Sequence, residues 1–429
     1  MSHFAVIAPP FLSHVRTLEA LLGELLRRGH RVTWLARPEV RALIRDSRIG
    51  FAPVGAVTDW SRPLSEVAAR AARPGSPWGL RHVIEDMAEA TTRLCAAGRQ
   101  ALRQAGADVV IADQMEAAGG LLAEALRLPC VSVACALPVN REPLVPLPVM
   151  PWAYEDSERA LQRNLASARI HDWFMAPHAR AVQAAALGLG LPPRQGLWEC
   201  LSPQLQISQT TPGFDFPRTQ LPAHFHAVGP LRAPPAAEPP LALPVRDGKA
   251  FVFASLGTMQ GNRLALFRRI AAACRALDAQ LLLAHCGGLD AAQVEAVARA
   301  GATWVTDFAP QRAALKRADA VVSHGGLNTV LDALVAGTPM LALPIAFDHP
   351  GSAARLVRAG AGLSLSPRLA TAGAIRRRLR RLLSDGSFRR HAARAGAEVA
   401  AAGGAPRAAD LIEGTFNLRA AAPEARLAG

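Results

Sequence analysis

The stretch Ser323-His324-Gly325-Gly326-Leu327-Asn328-Thr329-Val330-Leu331-Asp332 predicts a strand, a glycine turn and a helix with an anion site at the turn. The apolar run 320–322 before it is typical of a buried strand, and the apolar residues of 329–335 recur at helical spacing. The two glycines permit a sharp turn and a close approach of the backbone to a ligand. The free N–H groups at the helix start then favour an anion.

Four polar side chains at this helix start strengthen the prediction. His324 offers an N–H donor, Asn328 an amide and Thr329 a hydroxyl, whereas Asp332 lies too far from the turn to cap the helix. A carboxylate beside an anion site needs another task, such as accepting hydrogen bonds from sugar hydroxyls. For His-Gly-Gly alone an ordinary capped helix would be the better interpretation, but the complete set of side chains favours a binding site.

Composition indicates a globular protein of two domains. A chain of 429 residues exceeds one ordinary core, and half of its residues are apolar. Acidic residues, glycine or proline interrupt every apolar run before it reaches a membrane-spanning length. The start of the chain, 1–7, reads as a first strand without the features of a signal peptide, so a cytoplasmic protein is expected. The six cysteines form no CxxC pair, so free thiols are expected and no structural metal.

The net charge of +14 comes almost entirely from arginine, since Lys249 and Lys316 are the only lysines. Segment 375–383 is basic and amphipathic, which is most simply explained as a solvated helix face. Attraction to anionic lipid at the inner face of the cell membrane is the functional alternative. Binding of nucleic acid is disfavoured because no RRM, KH or zinc-finger pattern is present.

The first segment predicts a βαβ unit and therefore a parallel sheet. A strand is expected over 4–10, a helix over 17–28 and a second strand over 31–36. The first turn contains Pro9 and Pro10 rather than the glycines of a dinucleotide fingerprint, which argues against NAD or FAD.

Two polar residues follow strands of this sheet. His14 comes just after the first strand, and Asp113 follows the apolar run 109–112. Carboxyl ends of parallel strands share one edge, where ligands bind in open α/β sheets, so the two side chains are expected to meet. A carboxylate on one imidazole nitrogen fixes the tautomer and leaves the other nitrogen as a general base. A lone histidine here would more often be a packing residue.

The strand and helix pattern restarts after a segment rich in proline and alanine. We predict an N-terminal domain over 1–228, a linker over 229–247, a second domain over 248–405, and a terminal helix with a frayed tail over 406–429. Both domains alternate strands and helices, so the expected fold is α/β, with two Rossmann-like doubly wound sheets facing across a cleft. In the second domain, Phe308 could stack on a base, and Asp348 is expected at a strand end after 340–344.

The glycine turn resembles the donor-binding motif of the family-one UDP-glycosyltransferases. That motif is His-x-Gly-x-Asn-Ser/Thr with an acid eight residues after the histidine, and His324, Gly326, Asn328, Thr329 and Asp332 match it. Further stretches resemble the bacterial carotenoid glucosyltransferases of this family: 2–10, 13–16, 113–116, 132–138, 140–143, 253–258 and 282–287. The resemblance implies a GT-B fold, UDP-glucose as donor and a hydroxycarotenoid such as zeaxanthin as acceptor.

The resemblance also implies roles for individual residues. His14 would be the base and Asp113 its partner. The nucleoside of UDP-glucose would be held by Phe308, Ala309 and Gln311, and its phosphate and sugar side by Ser255 and Thr258. The pyrophosphate would be held by His324, Gly326, Asn328 and Thr329. Asp332 would bind the ribose, and Asp348 would bind the glucose. His349 stands where most members have glutamine, which leaves the choice of hexose open.

A single displacement at the anomeric carbon predicts an inverting transferase that makes a β-glucoside. We expect neither cofactor nor metal, since the sequence lacks an Asp-x-Asp motif and helix N-terminal amides can stabilise the leaving diphosphate. An apolar acceptor channel is expected from side chains that, taken singly, suit a core equally well: Met115, Leu137, Met150, Trp152, Trp173 and Phe174.

The sequence leaves two alternatives open. The enzyme class could be right with a different hydrophobic acceptor, such as a flavonoid, macrolide or sterol. The chain could also be a non-catalytic sugar-nucleotide-binding partner on the same fold, although the intact His14 and Asp113 argue against it.

Overall fold

The computed structural model describes residues 1–234 and 239–418, in which the strands form two parallel sheets. The first sheet contains β1 (His3–Ile7), β2 (Arg31–Ala36), β3 (Gly50–Pro53), β4 (Val109–Asp113), β5 (Cys130–Ala134), β6 (Leu205–Ser208) and β7 (Phe225–Ala227). Its helices are α1 (Leu12–Arg27), α2 (Leu64–Ala71), α3 (Pro77–Ala105), α4 (Ala117–Leu126) and α5 (Glu158–Gly188).

The second sheet contains β8 (Phe251–Ser255), β9 (Gln280–Ala284), β10 (Trp304–Thr306), β11 (Ala320–Ser323), β12 (Met340–Ala342) and β13 (Gly362–Ser364). The accompanying helices are α6 (Leu264–Arg275), α7 (Ala291–Ala300), α8 (Gln311–Arg317), α9 (Leu327–Val335), α10 (His349–Arg358), α11 (Ala372–Ser384) and α12 (Ser387–Ala401). A further helix, α13 (Gly404–Thr415), follows them in the chain and packs against the first sheet's core.

Both sheets follow the doubly wound order. The strand order is β3-β2-β1-β4-β5-β6-β7 in the first sheet and β10-β9-β8-β11-β12-β13 in the second. The order reverses between β1 and β4 and again between β8 and β11, and ligands bind at such switch points. This arrangement confirms the predicted α/β class with two parallel sheets.

The strands are buried on both faces because helices cover both sides of each sheet. In β1, Phe4 and Val6 point into one core, while Ala5 and Ile7 point into the other. In β8, Val252 and Ala254 lie in one core, and Phe251 and Phe253 in the opposite core. These strands therefore require near-continuous apolar runs rather than an alternation of apolar and polar residues.

Helix α1 begins at Leu12, five residues before the predicted start. The carbonyl of Phe11 accepts hydrogen bonds from the N–H groups of His14 and Val15, which closes the first helical turn immediately after the two prolines. His14 consequently lies in the first turn of a helix rather than in a loop. The helical backbone at this position fixes the direction of the His14 side chain at the carboxyl edge of the sheet.

The last described helix, α13, packs against the first lobe, the part of the protein built around the first sheet; the second lobe is built around the second sheet. Gly403 has φ +96° and turns the chain, after which Ala408, Ala409 and Ile412 of α13 are buried in the core that α1 covers. Arg28 of α1 donates hydrogen bonds to Glu413 at 2.6 Å and to Asp410 at 2.7 Å. The predicted frayed tail after residue 420 lies outside the described residues.

The structure bears on two expectations from composition, the lack of a membrane-spanning segment and the presence of free thiols. Over 1–234 and 239–418, no helix is both long and apolar enough to cross a membrane. All six cysteines are free thiols, and five of them are buried.

The return of α13 predicts that the first lobe depends on its C-terminal helix. Ile412→Ala, at a fully buried position, should lower the free energy of unfolding by about 2–5 kcal/mol because it leaves a cavity. Leu411→Ala, at the neighbouring half-buried position, should lower the free energy of unfolding clearly less. Chemical denaturation of both variants checks this, and equal losses would argue against a docked helix.

Candidate active site

His14 and Asp113 meet at the carboxyl edge of the first sheet. Strand β1 pairs directly with β4, and Nδ1 of His14 lies 2.7 Å from Oδ2 of Asp113. The other carboxylate oxygen accepts a hydrogen bond from the N–H of Met115 at 2.9 Å. An ionised carboxylate only accepts hydrogen bonds, so the imidazole proton lies on Nδ1 and Nε2 is left with its lone pair.

The environment of His14 raises its basicity. Burial lowers the pKa of His14, whereas the neighbouring Asp113 carboxylate raises it through its charge and its hydrogen bond. Asp348, which belongs to the second lobe, adds a further upward contribution, and the net pKa of His14 is raised. The imidazole side chain remains 15% exposed, whereas Asp113 is fully buried.

Cys135 is a third member of this cluster that sequence reasoning did not identify. The ligating atoms of His14, Asp113 and Cys135 all lie within 4.8 Å of one another. Burial, followed by the charge of Asp113, holds the pKa of the Cys135 thiol well above its usual range, so the thiol keeps its proton. A signal was available, since Cys135 directly follows β5, the strand that pairs with β4.

The glycine turn lies at the switch point of the second sheet. Strand β11 pairs with β8, so that Ser323 lies opposite Ser255 at the carboxyl edge. Gly325 has φ +81°, a conformation that favours glycine, and Gly326 is the N-cap of α9. Among the described residues, no side chain caps this helix. Its first N–H groups are therefore available to an anion.

His324 packs against the same turn as a neutral imidazole. A Cβ added at Gly326 would lie 2.4 Å from Nε2 of His324, so glycine leaves room for the ring. Burial lowers the pKa of His324 to about 4. His324 is therefore a neutral hydrogen-bond donor rather than a cationic one.

His349 contacts His324 edge-on, with ring centroids 4.5 Å apart. Its Nδ1 accepts a hydrogen bond from the N–H of Ala346, which leaves the proton on Nε2. Burial, together with His324, lowers the pKa of His349 well below its ordinary value. His349 is thus a second neutral donor near the glycine turn.

Two motif side chains are already engaged in hydrogen bonds. Asn328 donates to Thr17 Oγ1 at 3.1 Å and accepts from Gln209 at 3.1 Å, so its amide joins the two lobes. Asp332 accepts from Arg232 at 2.8 Å and from Gln311 at 2.7 Å. Arg232 lies in the predicted linker and gave no signal in the sequence.

Asp348 was expected at a strand end, and this placement is wrong. Strand β12 ends at Ala342, and Asp348 instead occupies the N-cap position of α10. Its carboxylate accepts a hydrogen bond from the N–H of Leu137 across the gap between the lobes at 3.1 Å. Burial raises the pKa of Asp348.

The other residues that the sequence predicts to bind the sugar donor lie around the same edge. Ser255 is buried at the end of β8, Thr258 is exposed in the following loop, and Thr329 is buried in the first turn of α9. Phe308 is 64% exposed, so its ring face is accessible for stacking, and Ala309 beside it is half-buried.

The predicted acceptor residues separate into two groups. Met115 lies beside Asp113 and Leu137 beside Asp348, because their backbone N–H groups donate hydrogen bonds to these carboxylates. Met150 is half-buried in a turn, and Trp152 packs under the guanidinium of Arg163. Trp173 is not enclosed in a channel: it is 72% exposed on α5 and contacts Phe174 edge-on.

Comparisons with known proteins agree with this architecture. Residues 268–413 match the family model of the erythromycin biosynthesis protein CIII-like C-terminal domain. The chain is 49% identical to the zeaxanthin glucosyltransferase of Pantoea ananas over 96% of both chains, and 45% identical to that of Pseudescherichia vulneris over 96% of this chain and 98% of the relative. The crystal structure of the kitacinnamycin glycotransferase superposes with a TM-score of 0.75 at 22% identity, over 96% of this chain and 99% of that chain.

Two facing Rossmann-like sheets of this kind define the GT-B fold, and the protein is a glycosyltransferase. Within that class, the chain belongs to the family of the bacterial zeaxanthin glucosyltransferases.

The His14–Asp113 contact predicts a specific titration. Asp113→Asn should lower the pKa of His14 below its ordinary value of about 6.5, because burial remains while the compensating charge is lost. In the wild type, the contribution of the His14–Asp113 pair to the free energy of unfolding is complete below about pH 6.5, and it is lost as the pH rises through the raised pKa of His14. NMR titration of the His14 ring, assigned with His14→Ala, measures the shift.

Asp172→Asn is the matched control for this titration, since Asp172 contacts His171 and Arg141 in the same lobe. It should leave His14 unchanged. An unchanged His14 pKa in Asp113→Asn would contradict the assigned contact.

Proposed function

We propose that this protein transfers glucose from UDP-glucose to a hydroxyl group of a carotenoid, zeaxanthin, with inversion at the anomeric carbon. The observation that carries the proposal is the His14 imidazole, oriented by Asp113 at 2.7 Å and influenced by Asp348 of the opposite lobe. A base placed between two lobes can reach an acceptor on one side and a sugar on the other.

The bond changes follow from this arrangement. Nε2 of His14 accepts the proton of the acceptor hydroxyl while the oxygen forms a bond to the anomeric carbon. The bond from that carbon to the diphosphate oxygen breaks, and the electron pair leaves with the diphosphate. The resulting imidazolium is stabilised by the Asp113 carboxylate. Attack opposite the leaving group converts the α-linked donor into a β-glucoside.

The leaving diphosphate is assigned to the start of α9. Backbone N–H groups after Gly326 and the neutral His324 donate to its oxygens, and the helix dipole adds a favourable field. Gln311 and Arg232 orient the Asp332 carboxylate, which retains lone pairs for ribose hydroxyls. This mechanism requires no metal ion.

The acceptor is assigned from the relatives and from the surroundings of His14. Both close relatives are named zeaxanthin glucosyltransferases. The half-buried Met115 provides apolar surface beside the base, as a hydrocarbon acceptor requires, whereas Leu137 is buried in the core. A polyene chain would extend from there into the gap between the lobes.

A product assay tests this function. Wild type with UDP-glucose and zeaxanthin should yield the β-glucoside, and His14→Ala should lose at least ~10²-fold in kcat with UDP binding retained, since only the base is removed. The exposed His82→Ala is the control and should remain active. Chromatography of the product and calorimetric titration with UDP provide the two readouts.

Two outcomes would contradict the proposal in different ways. Turnover of a phenol without any zeaxanthin glucoside would disprove the acceptor assignment but keep the enzyme class. A His14→Ala variant with the wild-type rate would disprove the mechanism.

We further propose a peripheral contact with anionic lipid through the exposed arginines of α11. The apolar face of α11 is buried through Ile375, Leu379 and Leu382, so this helix is held in the fold and offers only its charged face. Within the described parts of the chain, these exposed arginines form no ion pair with a carboxylate: Arg376, Arg377, Arg380 and Arg381. Each basic residue near an anionic membrane contributes about 1 kcal/mol of attraction.

Replacing these four arginines with glutamine should greatly weaken binding to vesicles that contain anionic phospholipid, because the attraction is electrostatic. A control variant removes the same charge from four exposed arginines spread over the first lobe: Arg41, Arg45, Arg103 and Arg159. Cosedimentation should separate the two variants, and equal losses would show that only net charge matters.

A further inference from the structure

Three different metal-ligating side chains converge in the site that contains the proposed base. His14 comes from the first turn of α1, Asp113 from the end of β4, and Cys135 from just beyond β5. One nitrogen, one oxygen and one sulfur atom lie within 4.8 Å of one another. Because β1, β4 and β5 are neighbouring strands, the sheet itself holds the three groups together.

We propose that this cluster is an inhibitory site for a zinc-like divalent cation, with His14, Asp113 and Cys135 as its three protein ligands. This inference rests on the proposed function, since the inhibition arises from blocking the proposed base. It adds a regulatory property to a reaction that itself requires no metal.

The geometry suits zinc. Zinc binds imidazole nitrogen and carboxylate oxygen at about 2.0–2.2 Å and thiolate sulfur at about 2.3 Å, usually in tetrahedral sites. With one sulfur among them, tetrahedral ligand atoms at these lengths lie roughly 3.3–3.6 Å apart. Zinc binding would lengthen the 2.7 Å separation between His14 Nδ1 and Asp113 Oδ2 by about 0.6 Å, and it would shorten the widest separation, 4.8 Å at most, by up to about 1.3 Å. The 15% exposure of His14 leaves a route to solvent, and water can fill the fourth position.

The mixed donor set also selects the ion. A thiolate beside an imidazole is a poor site for magnesium or calcium, which prefer oxygen ligands. Soft and borderline ions such as zinc, cobalt and cadmium match sulfur and nitrogen ligands. Ordinary magnesium in an assay buffer is consequently not expected to occupy this site.

Binding would switch the base off through a defined proton movement. The metal takes the Nδ1 lone-pair position, so the neutral imidazole carries its proton on Nε2. The Cys135 thiol becomes a thiolate and releases one proton to solvent. Nε2 then donates rather than accepts, and it can no longer remove the proton from the acceptor hydroxyl. Each bound ion thus inactivates one active site.

A direct binding measurement separates this inference from the proposed function. Cobalt(II) is added to the full chain without a histidine tag, and the visible spectrum is recorded. We expect tetrahedral bands together with a thiolate-to-cobalt charge-transfer band, and one equivalent of zinc should abolish both. Cys135→Ser should lose the charge-transfer band and bind zinc at least ~10-fold more weakly, since even supporting residues of metal sites contribute this much.

Cys200→Ser is the matched control. Cys200 is another buried thiol of the same lobe, and its Sγ bonds the carbonyl of Gly196 at 3.5 Å, a contact that serine can replace. This variant should keep the wild-type spectrum and zinc affinity. His14→Ala removes a second ligand near the surface, so it provides the same test should Cys135→Ser fail to fold.

The transfer reaction gives the functional readout. Zinc should inhibit glucoside formation, a chelator should restore it, and Cys135→Ser should be at least ~10-fold less sensitive relative to its own zinc-free rate. A spectrum without a thiolate band, or equal zinc affinity in both cysteine variants, would overturn the inference. Absence of transferase activity beside an intact thiolate band would contradict the proposed function and leave the metal site standing.

Discussion

The buried carboxylate of Asp113 is the constraint on which the first lobe's site depends. A charge without exposure to water must be compensated by hydrogen bonds or by an opposite charge. Here the His14 imidazole and the N–H of Met115 provide that compensation, and the Cys135 thiol lies beside them. The adjacency of β1 and β4 makes this possible, because their carboxyl ends reach the same edge. Sheet order and proposed catalysis therefore have one physical origin.

Contacts between the lobes assemble the rest of the site. Asp348 accepts from Leu137, and Asn328 donates to Thr17, so residues of the second lobe reach the helix and loop that surround His14. A buried ion pair, Arg355 with Asp215 at 2.6 Å, lies across the same gap. Breaking such a pair is costly because it leaves a buried charge uncompensated. The relative position of the lobes is thus specified by polar contacts as well as by apolar packing.

The two histidines of the second lobe show how burial sets chemical roles. His324 and His349 contact one another and are both kept neutral, whereas His14 gains a carboxylate partner and a raised pKa. In the proposed reaction, the same residue type therefore serves as a neutral donor on the diphosphate side and as a base on the acceptor side. The difference lies in the neighbours, which are brought together from distant parts of the chain.

The sequence alone determined the class of fold, the family and the strand–turn–helix unit at 323–332, because these follow from local periodicity and from motifs that are contiguous in the chain. It also indicated that His14 and Asp113 should meet, since parallel strands place their ends on one edge. Only the tertiary structure decided that Cys135 joins this pair, that Arg232 reaches Asp332, and that Asp348 sits at a helix start rather than a strand end. Arg232 and Asp332 are 100 positions apart, and Asp348 contacts Leu137 across 211 positions. The packing of helices and lobes, which no local pattern encodes, determines which of these contacts form.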